Sequence, residues 1–185
     1  MPAFHPFESV SITESKSDYF LYHGNLSVGE NNEAALFLIN EVFNDIPQKL
    51  VIAGSKPSAE LQKLAAENKN VELIQNCSPE KIYELIANAK CNILPTFQST
   101  GIKLKLLAAL FLGKDCIVNT PMVVNTGLES LCEVADTALE MKNKIAVIAK
   151  QKQFSSEKFK KRKEILEQSF SNKSGAEKLK KVIFG

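Results

Sequence analysis

The chain has 185 residues, 44% of them hydrophobic and 24% charged, with a formal charge of +2 and a pI near 8.3. This is ordinary globular composition, long enough for one sizeable core, and the charge is too small to mark the whole chain as a binder of nucleic acid or membrane. Cys77, Cys91, Cys116 and Cys132 form no CxxC pair and have no neighbouring histidine, which excludes a zinc or dithiol motif evident from spacing; they read as reduced core residues.

Taken in chain order, residues 1–18 carry two prolines and four serines without periodicity and read as a linker-like lead-in to a domain over 19–185. No basic region precedes an apolar run there, so no signal peptide is expected, and no apolar stretch is long enough to span a bilayer. A cytoplasmic location is the default. Five short, nearly continuous apolar runs follow, "YFLYHG", "KLVIAG", "VELIQ", "CNILP" and "CIVNT", as expected of parallel strands buried on both faces.

Between them the period becomes helical over 32–44, 58–68, 79–89 and 103–112. Ser58 and Ser78 are expected N-caps, the latter with Pro79 at the first helical position, and Gly113 is expected to stop the fourth helix. A marginal sixth strand is expected near 137–141, then helices from about Lys144 to the end. Leu179, Val182 and Ile183 are expected to bury one stripe of the last helix. The fold class is α/β: a Rossmann-like doubly wound parallel sheet of five or six strands with helices on both faces and C-terminal helices.

In such sheets ligands bind beyond the carboxyl ends of the strands, where helix N-termini present unpaired N–H groups. The loops to examine are therefore "HGNLSVGENN", "GSKP", "NCSP", "TFQSTGIK" and "PMVVNTG". Gly24, Gly29 and Gly101 permit close backbone approach, and Lys103 stands in the first turn of its helix. A cation there is disfavoured by about 0.3–1 kcal/mol unless an anion shares the site; the alternative is that Lys103 extends into water. Neither GxGxxG nor GxxxxGK[ST] is present, so dehydrogenases and phosphate-loop NTPases fit poorly.

Three stretches, "YHGNLSVGENNEAALFLI", "KLVIAGSKPSAELQKLA" and "ANAKCNILPTFQSTGIKLKLLAALFLGKDCIVNTPMVVNTGLE", resemble the C-terminal, nucleotide-sugar-binding domain of GT-B glycosyltransferases of the retaining family four. The resemblance implies that the chain binds the diphosphate of a nucleotide-sugar donor. Transfer would occur in a cleft shared with a missing N-terminal acceptor domain, so this chain alone would be inactive. A degenerate GT-B-like domain serving as a structural or docking module is the alternative. No cofactor, metal or nucleic-acid partner is expected.

The substrate-binding residues it implies are Gly24, Asn25, Leu26, Thr100, Gly101, Ile102 and Lys103, with Asn76 and Cys77 as candidates for the base; no catalytic residue is assigned. Asn25 stands where many members have arginine, and the later loop lysine is replaced by Asn31 or Asn32. Lys103 and Lys105 match a subgroup with a basic signature helix, whereas the two family glutamates map to Thr100 and Ala108. His23 is a further candidate at a strand end, with a packed core histidine as the plain reading. A metal role for the pair His5 and His23 would need carboxylate help.

From Lys150 to Lys181 eleven Lys or Arg residues face Glu157, Glu164, Glu167 and Glu177. This raises a lipid-linked acceptor and a peripheral position at the inner membrane face, against the plainer reading of a solvated helix face.

Overall fold

The structure is a computed structural model and describes residues 4–14, 17–98 and 103–184. Six strands form one parallel sheet in the order β3-β2-β1-β4-β5-β6: β1 (Phe20–Asn25), β2 (Leu50–Ser55), β3 (Val71–Gln75), β4 (Cys91–Leu94), β5 (Asp115–Val118) and β6 (Glu133–Val134). Strand order reverses between β1 and β4. β1 follows β2 through six register pairs, from Phe20↔Leu50 to Asn25↔Ser55, but follows β4 through only two, Phe20↔Cys91 and Leu21↔Asn92. Beyond Leu21 the two strands part, and a crevice opens at their carboxyl ends.

The connecting helices are α1 (Gly29–Phe37), α2 (Ala59–Glu67), α3 (Pro79–Asn88), α4 (Leu104–Leu112) and α5 (Thr120–Val123), followed by α6 (Ala138–Lys150), α7 (Ser156–Ser169) and α8 (Asn172–Phe184). α1 continues into a π-helical turn over Leu38–Val42, closed by Phe43 N–H donating to the Leu38 carbonyl at 2.8 Å. β1, β2, β4 and β5 are buried along almost their whole length, as near-continuous apolar runs require. Ser58 and Ser78 cap α2 and α3, accepting from Leu61 N–H (3.0 Å) and Lys81 N–H (3.3 Å).

Three expectations are corrected. The sixth strand is not at 137–141 but at Glu133–Val134, because Thr137 and Glu140 form a capping box that starts α6 at Ala138. The first crossover helix begins at Gly29, ahead of Asn32, entered through the extended backbone of Val28 without a side-chain cap. The last helix does not bury its stripe: Val182 is 78% and Ile183 61% exposed. α8 packs against α7 and the N-terminal segment, and among the described residues nothing covers its final turn.

The N-terminal segment has no regular element, yet it is packed. Phe7 and Val10 are buried, and Phe7 lies 5.6 Å from Phe111 and 5.3 Å from Tyr83, centroid to centroid. His5 Nε2 donates to the Phe170 carbonyl (2.8 Å) while Nδ1 accepts from Phe7 N–H (3.2 Å), which accounts for both ring nitrogens. Arg162, 2% exposed, anchors α7 by donating to the carbonyls of Gly113 (2.7 Å) and Lys114 (2.6 Å).

Candidate functional site

The crevice between β1 and β4 gathers side chains from five segments. From β1 come Tyr22, His23, Gly24 and Asn25. Glu30 and Asn31 stand in the first turn of α1, Thr96 and Gln98 follow β4, Lys103 and Lys105 lie at the start of α4, and Asn119 follows β5.

The loop after β1 is fixed by Asn25. Its Oδ1 accepts from Ser27 N–H (3.2 Å), Ser27 Oγ (2.8 Å) and Ser55 Oγ (3.1 Å), which consumes the amide oxygen in structure and leaves the NH₂ as the group for a ligand. Asn31 Nδ2 closes the turn by donating to the Asn25 carbonyl (3.0 Å). A Cβ on Gly24 would lie 3.3 Å from Asn31 Cγ, so the close approach of this side chain explains the glycine. Opposite, a Cβ on Gly54 would strike the Gly24 carbonyl oxygen and Leu26. Leu26 itself is 2% exposed and packs into the core, leaving only its backbone for a ligand.

Lys105 is the inner cation. Its Nζ donates to Asn31 Oδ1 (2.5 Å) and stands 5.4 Å from the centroid of the Tyr22 ring, whose hydroxyl donates to the Asn31 carbonyl (3.1 Å). Burial pulls Lys105 down to about 8, with nearby Glu30 opposing that fall and Lys103 adding to it. His23 is 4% exposed; burial above all, then Lys105, lowers it to about 3, so the imidazole is neutral at physiological pH. Its Nε2 is buried without a hydrogen-bond partner. Lys103 stands at the N-cap position of α4 and donates to the Gln98 carbonyl (2.8 Å).

The far wall is held by Asn119. Its Oδ1 accepts from Thr96 N–H (3.0 Å) and its Nδ2 donates to the Thr96 carbonyl (2.7 Å), clamping both backbone groups of one residue. The Thr96 hydroxyl in turn donates to Glu30 Oε1. The result is a hydrogen-bonded polar wall in which Thr96 links the Glu30 carboxylate to Asn119.

Of the residues expected from sequence, Gly24, Asn25, Leu26 and Lys103 flank this crevice, while Thr100, Gly101 and Ile102 lie outside the described residues. Asn76 and Cys77 follow β3 at the sheet edge, two strands from β1. Asn76 adopts a left-handed φ of 55° with its N–H on the Gly54 carbonyl (3.0 Å), and Cys77 Sγ donates to the Ile74 carbonyl (3.6 Å). Both serve the turn. Ala108, where the resemblance places an acid, is buried in the core.

Sequence reasoning did not single out Glu30, Thr96 or Asn119, since they come from three separate loops; the "GENN" run opening α1 was the available signal for Glu30. Among the described residues no cluster of three metal-ligating side chains occurs. A cavity of about 640 Å³ lies elsewhere, lined by Lys90, Lys114, Lys152 and Phe159 among others, with Lys90 and Lys114 engaged by backbone carbonyls of Gln151 and of the end of α3.

Strand order and crevice together define a Rossmann-like α/β domain, with the crevice at the strand-order reversal. The sequence profile described as "Glycosyl transferases group 1" matches residues 17–151, and the chain belongs to that family. No curated protein matches it in sequence.

Among solved structures it is similar to AviGT4, a glycosyltransferase involved in avilamycin A biosynthesis (17% identity, TM-score 0.67, covering 92% of this chain and 53% of that one). It is also similar to a S. aureus TarM mutant in complex with fondaparinux, alpha-GlcNAc-glycerol and UDP (14%, 0.71, 98% and 38%). A third is the catalytic domain of starch synthase IV from Arabidopsis thaliana, bound to ADP and acarbose (12%, 0.62, 92% and 39%). The chain thus spans about half of the first and well under half of the other two. Among the described residues no helix is long and apolar enough to cross a membrane.

Proposed function

We propose that this chain is the donor-binding half of a glycosyltransferase and holds the diphosphate of a nucleotide sugar in the β1/β4 crevice. The observation that carries this is Lys105: a cation drawn into a half-buried site, at an energetic cost, beside the glycine loop and the free amide of Asn25. A diphosphate supplies the anion that offsets that cost, with charge-assisted bonds of about 1.5–3 kcal/mol each. Two relatives in fold were solved with UDP or ADP, which supports the ligand class. Exposed Val28, Phe97, Leu104 and Val124 lie on the segments that follow the carboxyl ends of β1, β4 and β5, and such apolar exposure suits the approach of an acceptor-binding domain. Alone the chain would transfer no sugar. A cytoplasmic setting, where nucleotide sugars are available, fits the reading, and cosedimentation with anionic vesicles tests any membrane contact of the basic last helices.

Calorimetric titration with UDP, GDP and ADP tests the proposal: one of them binds, and Lys105→Met weakens that binding at least tenfold. Because Lys105 loses its proton near pH 8, affinity also falls as pH rises from 7 to 9, and Lys105→Met abolishes this dependence. Absence of binding by all three favours the second reading, a degenerate docking module. That reading draws on α4, which from Leu104 to Leu112 carries no acid.

A further inference from the structure

The crevice holds a carboxylate that diphosphate binding does not use. Glu30 stands in the first turn of α1 with Oε1 taken by the Thr96 hydroxyl, and Oε2 has no recorded partner among the described residues. The group that holds it is itself held, since Asn119 bonds both the N–H and the carbonyl of Thr96. The adjacent Asn31 holds Lys105 Nζ at 2.5 Å, and the charge of Glu30 is felt by Tyr22 and Lys105, so the carboxylate and the cation are close neighbours at the start of α1. Nearby, His23 Nε2 is buried and unpartnered, a second polar group left for a ligand to satisfy.

These neighbours divide into two chemistries. Lys105 and the Asn25 NH₂ are donors and suit an anion; the Glu30 carboxylate accepts only, repels phosphate and suits a hydroxyl. A ligand that satisfies both carries negative charge and hydroxyl groups a few ångströms apart. We propose, resting on the donor-binding reading above, that Glu30 is a specificity-determining residue that accepts a hydrogen bond from a hydroxyl of the donor sugar while Lys105 holds the diphosphate.

The test is titration of the full chain, as wild type and as Glu30→Gln, with UDP, GDP and ADP and with the glucose conjugate of each. The readout is the ratio of affinities, sugar conjugate over the plain diphosphate of the same base. Glu30→Gln is expected to lower this ratio about tenfold, the loss of one charge-assisted bond, while the plain diphosphate binds equally or more tightly once the negative charge is gone. An unchanged ratio overturns the inference. So does a parallel weakening of both ligands, which would make Glu30 only a support for Lys105. Thr96→Val, which releases the carboxylate without removing it, lowers the same ratio by a smaller factor and covers the case of a poorly folded Glu30 variant. A wild-type chain that binds no diphosphate overturns instead the donor-binding reading.

Discussion

His23 illustrates how a single residue carries both the stability and the readiness of the crevice. Its imidazole is held neutral, at about 3 against 6.5 for a free histidine, chiefly by burial and then by Lys105. The unfolded chain therefore takes up a proton near pH 6.5 that the folded chain refuses, so the contribution of His23 is full above pH 6.5 and is lost as pH falls toward 3. Between pH 7 and 5 the folded state should lose about 2 kcal/mol through this residue, and the His23→Gln variant should lack that part of the slope in denaturant titrations at pH 7, 6 and 5. At this scale the sequence was partly legible. Gly24, Asn25 and Lys103 flank the crevice, because each belongs to a segment whose place follows from strand order. Glu30, Thr96 and Asn119 were not legible as neighbours, because they meet from the start of α1 and the loops after β4 and β5, and no spacing within any one segment encodes that.

At the scale of elements the glycine after α4 shows what sequence patterns can and cannot deliver. Gly113 ends the helix where expected, but with an extended φ of −96° rather than a left-handed one. Its reason is contact: a Cβ would press on the Asn92 side-chain amide and on the Ala109 carbonyl at 2.7 Å, beneath the Arg162 guanidinium that binds the Gly113 carbonyl. Gly113→Ala should therefore cost about 1–3 kcal/mol by overpacking, whereas Gly29→Ala, with open space around its Cβ, should stay within about 0.5 kcal/mol. Thermal unfolding of the two variants separates them. The misplaced sixth strand has a related cause. "DTALEM" reads equally as strand or helix start from apolar spacing, and only the reciprocal bonds of Thr137 and Glu140 decide for the helix. The inner strands β1, β2, β4 and β5 were legible because burial on both faces leaves a continuous apolar run; β3, half-buried at one edge, keeps the short run "VELIQ", and two-residue β6 at the other edge leaves none.

At the scale of the whole molecule, the two chain ends behave oppositely, although their sequences suggest the reverse. The proline-containing N-terminal segment has no helical or strand pattern, yet it inserts Phe7 among Phe111, Tyr83 and His5 and ties itself to the start of α8 through Asn172, whose Nδ2 donates to the His5 carbonyl (2.7 Å). The amphipathic end of α8 has the pattern of a core helix, yet Val182, Ile183 and Phe184 remain exposed. Periodicity states that a face is apolar and says nothing about whether another element is present to cover it. The energetic consequence is direct. Phe7→Ala removes a buried ring from an aromatic cluster and should lower stability by about 3 kcal/mol, whereas Ile183→Ala removes a side chain already in water and should change it by less than about 0.5 kcal/mol. Urea unfolding of the 185-residue chain measures both, and equal losses would mean that the far end of α8 is packed in solution.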